Sequence, residues 1–158
     1  MKSRLLALAL VCLTTVAFGQ DYNRAIGFRG GFFSGITYKQ FVDENMAIEG
    51  ILHSRYAGWQ ITGLAEWHGA AWDVPGLNWY YGAGGHVGIF SYSENSPYFD
   101  AEATGTKVGV GVDGVLGIEY NIKTIPINVS LDWKPALNLV GYTGFAADGG
   151  AFSVRYTF

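Results

Sequence analysis

The chain has few of the residues that mark several protein classes. It has one cysteine, Cys12, and four prolines among 158 residues, and only 15% of its residues are charged. A disulfide framework or a thiolate metal site needs several cysteines, so both are excluded. Acidic residues outnumber basic ones by 13 to 10, which leaves no basic surface for nucleic acid. The chain is instead rich in glycine and aromatic residues, with 23 Gly, ten Phe, ten Tyr and five Trp.

The beginning of the chain has the pattern of a secretory signal. Lys2 and Arg4 precede an apolar run at 5–11, and small residues follow it. The run is shorter than the roughly 20 apolar residues that a membrane-spanning helix needs. We therefore expect residues 1–19 to be a signal peptide that is cleaved. A single domain of residues 20–158 would remain, without cysteine and with eight basic and thirteen acidic side chains.

An alternation with a period of two dominates the rest of the sequence. From Val108 to Tyr120, apolar residues alternate with glycine and acidic residues, which is typical of a long β-strand. An even number of antiparallel strands closes into an up-and-down barrel. The predicted fold is therefore all-β, an eight-stranded antiparallel up-and-down transmembrane β-barrel. The same pattern predicts its eight strands near 24–33, 35–42, 46–56, 58–68, 77–91, 107–121, 125–134 and 149–158.

The polar face of these strands indicates which side is the interior. A soluble lipocalin-type barrel has the same alternation with its apolar face inward, but its outer surface would carry more charge than this face does. Eight strands enclose an interior that side chains just fill. Opposite charges neutralise one another there, whereas an unpaired buried charge costs several kcal/mol (order of magnitude). We interpret the polar face as the lumen, with a structural charge network of five basic and five acidic residues: Arg29, Lys39, Glu49, Arg55, Glu66, Asp113, Glu119, Asp132, Lys134 and Arg155.

The apolar face has aromatic residues near one predicted end of the strands. Such a band is typical of the level at which a barrel leaves the hydrocarbon layer of a membrane. The predicted aromatic girdle consists of Trp67, Trp79, Tyr81, Tyr120, Tyr156 and Phe158.

The last predicted strand alternates apolar residues from Ala151 onward and finishes on Tyr156 and Phe158. It resembles the terminal strand of small, porin-like outer-membrane β-barrel proteins of the OmpX or OmpA-transmembrane type. The resemblance implies a location in the outer membrane of a Gram-negative bacterium, in contact with its lipid. It also implies that the barrel-assembly machinery recognises the C-terminal strand.

Loop length departs from that family's pattern. OmpX-type proteins have long loops on one side, whereas the corresponding breaks at 33–35 and 57–58 are short here. The candidate surface loops are therefore 92–106 and 138–148.

Three patterns that suggest chemistry have simpler explanations. Residues 109–114 match the spacing GxGxxG, but no helix follows to hold a pyrophosphate. Ser54 and Ser91, considered as nucleophiles near strand ends, fall on the face opposite to the histidines. The histidines are expected in the lumen hydrogen-bond network without a metal or cofactor: His53, His68 and His86.

The sequence predicts a monomeric, non-enzymatic outer-membrane barrel with a charge-paired, filled lumen and an envelope-structural or surface-interaction role. A narrow pore for small solutes is the second hypothesis. A lipid-modifying enzyme is the third, and a soluble periplasmic ligand-binding barrel is the fourth.

Overall fold

The computed structural model describes the barrel wall in residues 22–32, 34–55, 58–92, 105–141, 144–147 and 149–158. The expected signal peptide at 1–19 lies outside these residues. So do 93–104, most of the first candidate loop. Within the described ranges, no helix is long and apolar enough to span a membrane.

The chain forms a closed antiparallel barrel, as predicted. Its ten strand segments in the described residues are β1 (Arg24–Gly31), β2 (Gly35–Phe41), β3 (Met46–Arg55), β4 (Gly58–Ala70), β5 (Leu77–Tyr92), β6 (Gly105–Ile122), β7 (Ile127–Trp133), β8 (Ala136–Val140), β9 (Gly144–Ala146) and β10 (Gly150–Thr157). Strand β1 pairs with β2 on one side and with β10 on the other, and the pairing of β5 with β6 completes the ring. Segments β7 and β8 both pair with β6 and form one wall strand, and β9 and β10 form the next, so eight strands make the wall.

The predicted loop at 138–148 is wrong, because β8 and β9 continue the wall through most of it. Pro135 has no N–H to donate, so the ladder is interrupted between β7 and β8. Its carbonyl still accepts from Gly114 N at 2.9 Å, which holds the strand in the wall. Gly141, with φ +83°, then turns the chain toward β9. The other predicted strand bounds lie within two residues of the observed ones.

The barrel has two ends that differ in their connections. The turns at 42–45, 71–76 and 123–126 lie at the end where β1 begins and β10 finishes. We call this the terminal end. The connections after β1, β3, β5 and β8 lie at the other end, the opposite end.

Burial alternates along each strand and separates two chemically different faces. In β4, every second residue from Gly58 to Leu64 is buried while its neighbours are exposed. Exposed positions hold large apolar side chains such as Ile61 at 64% and Leu131 at 61% exposure. Buried positions hold mostly polar and charged side chains. This is the reverse of the arrangement in water-soluble domains.

Candidate functional site

One guanidinium connects four strands inside the terminal half of the barrel. Arg155 on β10 is fully buried, and its Nη2 donates to Glu49 Oε1 on β3 at 2.5 Å. Its Nη1 donates to Ser130 Oγ at 2.7 Å and to Asn128 Oδ1 at 3.2 Å, both on β7. Thr37 on β2 accepts from Arg155 Nε at 3.4 Å and donates to Glu49. The guanidinium therefore has a charged partner inside the barrel through Glu49 Oε1, while the other oxygen of that carboxylate, Oε2, is buried without a hydrogen bond.

A buried ammonium lies beside this pair. Lys39 Nζ is 2.7 Å from Glu66 Oε2, 3.5 Å from Glu119 Oε2 and 3.9 Å from Glu49 Oε2. It also lies 4.2 Å from the centre of the Tyr80 ring, a cation–π contact. Lys39 and its three carboxylate partners have fully buried side chains. We call Lys39, Glu49, Glu66, Glu119 and Arg155 the terminal cluster.

Aromatic rings close the terminal end of this cluster. Tyr22 precedes β1, and its hydroxyl donates to Glu119 Oε2 at 3.1 Å. Burial, with the nearby Glu119 carboxylate, raises the pKa of Tyr22 well above its usual value, so the hydroxyl stays protonated and donates. The Phe41 ring packs between Tyr22 at 5.1 Å and His68 at 4.8 Å. His68 in turn lies 3.3 Å from both Glu66 and Glu119.

The middle of the lumen holds a second guanidinium–carboxylate pair. Arg29 donates two hydrogen bonds to Asp132, one of them from Nη1 to Oδ2 at 2.7 Å. Tyr80 Oη donates to the same Oδ2 at 2.9 Å. A Cβ added at Gly117 would lie 2.6 Å from Tyr80 Cζ and 2.6 Å from Asp132 Cβ. Glycine at 117 therefore leaves the room that the tyrosine ring occupies.

A third set of contacts lies toward the opposite end. Asp113 accepts from Lys134 Nζ at 2.5 Å and lies 2.6 Å from His86 Nδ1. His86 Nε2 lies 2.9 Å from Asn138 Oδ1. A Cβ added at Gly111 would lie 2.5 Å from His86 Cε1, so this ring also rests on a glycine. We call His86, Asp113, Lys134 and Asn138 the upper cluster.

The structure places nine of the ten predicted lumen charges inside the barrel, all buried. The side chain of the tenth, Arg55, lies outside the described residues. The nine fall into the terminal cluster, the upper cluster and the middle pair: Arg29, Lys39, Glu49, Glu66, Asp113, Glu119, Asp132, Lys134 and Arg155.

The six residues of the predicted girdle are exposed on the outer surface. Tyr81 stacks with Trp67 at 5.9 Å and with Trp79 at 5.4 Å between ring centres. Tyr156 stacks with Phe158 at 6.2 Å. Tyr120 is exposed on β6.

Sequence reasoning missed several buried polar residues and contacts. Arg24 is only 8% exposed although strict alternation puts it on the outer face. Tyr22 lay before the first predicted strand, and Asn138 lay in the segment predicted as a loop. The inward position of Thr37 and Ser130 follows from parity, but their contacts with Arg155 do not.

The described part of the lumen offers no metal site, since no group of three or more His, Cys, Asp or Glu side chains there is arranged to hold an ion. His86 has the carboxylate partner of a catalytic dyad at Nδ1. Its Nε2, where a nucleophile would stand, faces the side-chain amide of Asn138.

No family model and no curated protein matches this chain. Among solved structures, the barrel is similar to the N-terminal beta-barrel domain of Pseudomonas aeruginosa OprF, with a TM-score of 0.66 and 14% sequence identity. The match covers 89% of this chain and 99% of that one. This likeness shows the same closed eight-stranded fold.

Proposed function

We propose that this chain is an integral outer-membrane β-barrel protein with a structural, non-enzymatic role in the envelope. The observation that carries the proposal is the inversion of the two faces. Charged side chains such as Arg155 and Glu49 are fully buried inside, while side chains such as Phe152, Ile89 and Leu131 are more than half exposed outside. A continuous apolar wall of this kind is unfavourable in water and favourable in lipid.

Export and assembly are part of the same proposal. Residues 1–19 act as the signal that sends the chain across the inner membrane, and β10 is the strand presented to the barrel-assembly machinery. The mature protein is a monomer held by lipid around its outer face. The fold shared with the OprF barrel domain supports this location.

We further propose that the lumen is filled and does not conduct. The terminal cluster, the middle pair and the upper cluster follow one another along the interior. Among the nine described charges, four are basic and five are acidic, and each one lies within 4.0 Å of an opposite charge or of a histidine. Paired charges that span an eight-stranded barrel leave little room for water.

The contacts of His86 favour the structural role over a lipid-modifying enzyme. Nucleophilic hydrolysis needs a serine or similar group on the free nitrogen of the histidine. At His86 that nitrogen is 2.9 Å from the Asn138 amide oxygen, and its ring is buried in the lumen away from lipid.

Fractionation of the producing cells tests the location. When the full-length sequence is expressed, we expect the protein to sediment with outer membranes, to resist extraction by urea and carbonate, and to dissolve only in detergent. Its mass should correspond to a chain that begins at Gln20. Recovery as a detergent-free soluble protein from the periplasm would contradict the proposal and favour a soluble ligand-binding barrel.

A further inference from the structure

The turn between β4 and β5 has an unusual backbone. Three hydrogen bonds close it: Val74 N to Ala71 O at 3.1 Å, Leu77 N to Val74 O at 3.0 Å, and Ala71 N to Leu77 O at 2.9 Å. Its two central residues, Trp72 and Asp73, have φ values of +49° and +54°. Two successive left-handed residues make a type I′ turn, a position that usually takes Asn-Gly.

Trp72 is an unfavourable residue for this position. A bulky aromatic side chain at positive φ is a conformational outlier. The Trp72 side chain is 79% exposed, the most exposed large apolar side chain among the described residues. Packing inside the barrel therefore does not explain why a tryptophan occupies this position. A contact between the ring and something outside the protein would explain it.

The neighbouring strands indicate what that partner is. The turn leaves β4 soon after Trp67 and enters β5 just before Trp79 and Tyr81. These three rings form a continuous stack on the outer face. Trp72 lies in the turn that joins these two strands, beyond their ends. In a membrane-spanning barrel this level is where hydrocarbon changes to headgroups, the layer that tryptophan prefers.

The other turns of the terminal end have the same mixed character. Val42 is 50% exposed and Ile125 is 51% exposed, and each lies near a charged residue of its turn, Asp43 and Lys123 respectively. Val74, in the same turn as Trp72, is 45% exposed. Apolar side chains beside charged ones suit an interface better than bulk water.

We propose that Trp72 anchors the terminal end of the barrel in the layer of lipid headgroups that surrounds it. The turn holds the ring outward, and the ring lies among the lipids while Asp73 faces water. This inference rests on the proposed membrane location. It adds a specific lipid contact at a turn outside the predicted girdle.

Fluorescence quenching tests the anchor. Wild type and Trp72→Phe are folded into phosphatidylcholine vesicles, with and without phospholipids brominated near the headgroup, and the difference between the two proteins isolates Trp72. We expect blue-shifted emission that brominated lipid quenches and aqueous iodide does not. Emission quenched by iodide as strongly as free tryptophan amide would overturn the anchor. Shielding from both quenchers would also overturn it, because it indicates a protein partner.

The same samples separate this inference from the proposed function. Trp72→Phe retains four tryptophans on the outer face: Trp59, Trp67, Trp79 and Trp133. If brominated lipid fails to quench these four, the membrane location itself is wrong. If it quenches them but not Trp72, only the anchor is wrong.

A matched pair of substitutions separates the ring from the backbone. Trp72→Asn and Asp73→Gly each put into the turn a residue that adopts the left-handed region more readily than the residue it replaces. We expect Asp73→Gly to raise the urea midpoint of the barrel in vesicles and Trp72→Asn to raise it less or to lower it, because the lipid contact is lost. Equal rises in both variants would contradict the anchor.

Discussion

The terminal cluster and the upper cluster pair charges in different ways. The terminal cluster draws its five members from β2, β3, β4, β6 and β10, strands on several sides of the barrel. Glu49 and Arg155 are 106 residues apart in sequence. In the upper cluster, Asp113 and Lys134 are 21 residues apart, and the members come from β5, β6 and the adjoining β7–β8 strand. The first cluster crosses the lumen, whereas the second lies along one wall.

This difference between the two clusters has a consequence for the stability of the barrel. Contacts across the lumen connect strands that no backbone ladder joins, so they brace the barrel from inside. In the upper cluster, the contacts of Asp113 with His86 and Lys134 join neighbouring wall strands and add to a ladder that already exists, as ordinary cross-strand pairs do. We therefore expect substitutions in the terminal cluster to have the larger effects.

Removal of Arg155 should have the largest effect. Arg155→Met leaves Glu49 fully buried without its guanidinium, and we expect a loss of about 3–5 kcal/mol in the free energy of unfolding. Reversible urea unfolding in vesicles measures it. The double variant Arg155→Met/Glu49→Gln also removes the unpaired negative charge of Glu49 and should recover part of the lost stability. If Arg155→Met alone were as stable as wild type, the terminal cluster would not brace the barrel more strongly than the upper cluster does.

Substitution of Gly117 tests whether close packing or charge holds the middle of the lumen. Gly117→Ala puts a methyl group 2.6 Å from Tyr80 Cζ, so we expect a loss of about 1–3 kcal/mol. Gly63→Ala is the matched control, because a Cβ there meets no atom within 4 Å on the exposed face, and its effect should stay within about 0.5 kcal/mol. The same urea titration measures both. Equal losses of stability in the two variants would show that the Tyr80 ring moves aside at little cost, so that close packing at Gly117 does not hold the middle of the lumen.

Removal of Lys134 should have the smallest effect of the three. Lys134→Met takes one donor from Asp113 but leaves the His86 contact at 2.6 Å, so we expect a loss of about 1–2 kcal/mol. The measurement is again urea unfolding, beside Arg155→Met under the same conditions. A loss as large as that of Arg155→Met would mean that the upper cluster braces the barrel equally.

Most of the fold could be predicted from the sequence, because an apolar–polar alternation reports strands directly. The prediction failed at β8 and β9, where Pro135 and Gly141 interrupt the pattern. A proline without an N–H and a glycine at positive φ resemble loop signals even when the wall continues.

The contacts of the site were less predictable than its position. Alternation placed Glu49 and Arg155 on the same face, but which charges meet depends on the stagger of all eight strands around the ring. No local pattern reports that quantity. The bond from Tyr80 to Asp132, between strands β5 and β7 that are not paired, is a further example.

The conductance of single molecules in planar bilayers tests the filled lumen most directly. With insertion confirmed independently, we expect no stable channel from wild type or from Lys134→Ala. Glu66→Ala and Arg155→Ala each open the terminal cluster and should give measurable channels. Stable conductance of the unaltered protein, unchanged by these two substitutions, would contradict the account and favour a narrow pore.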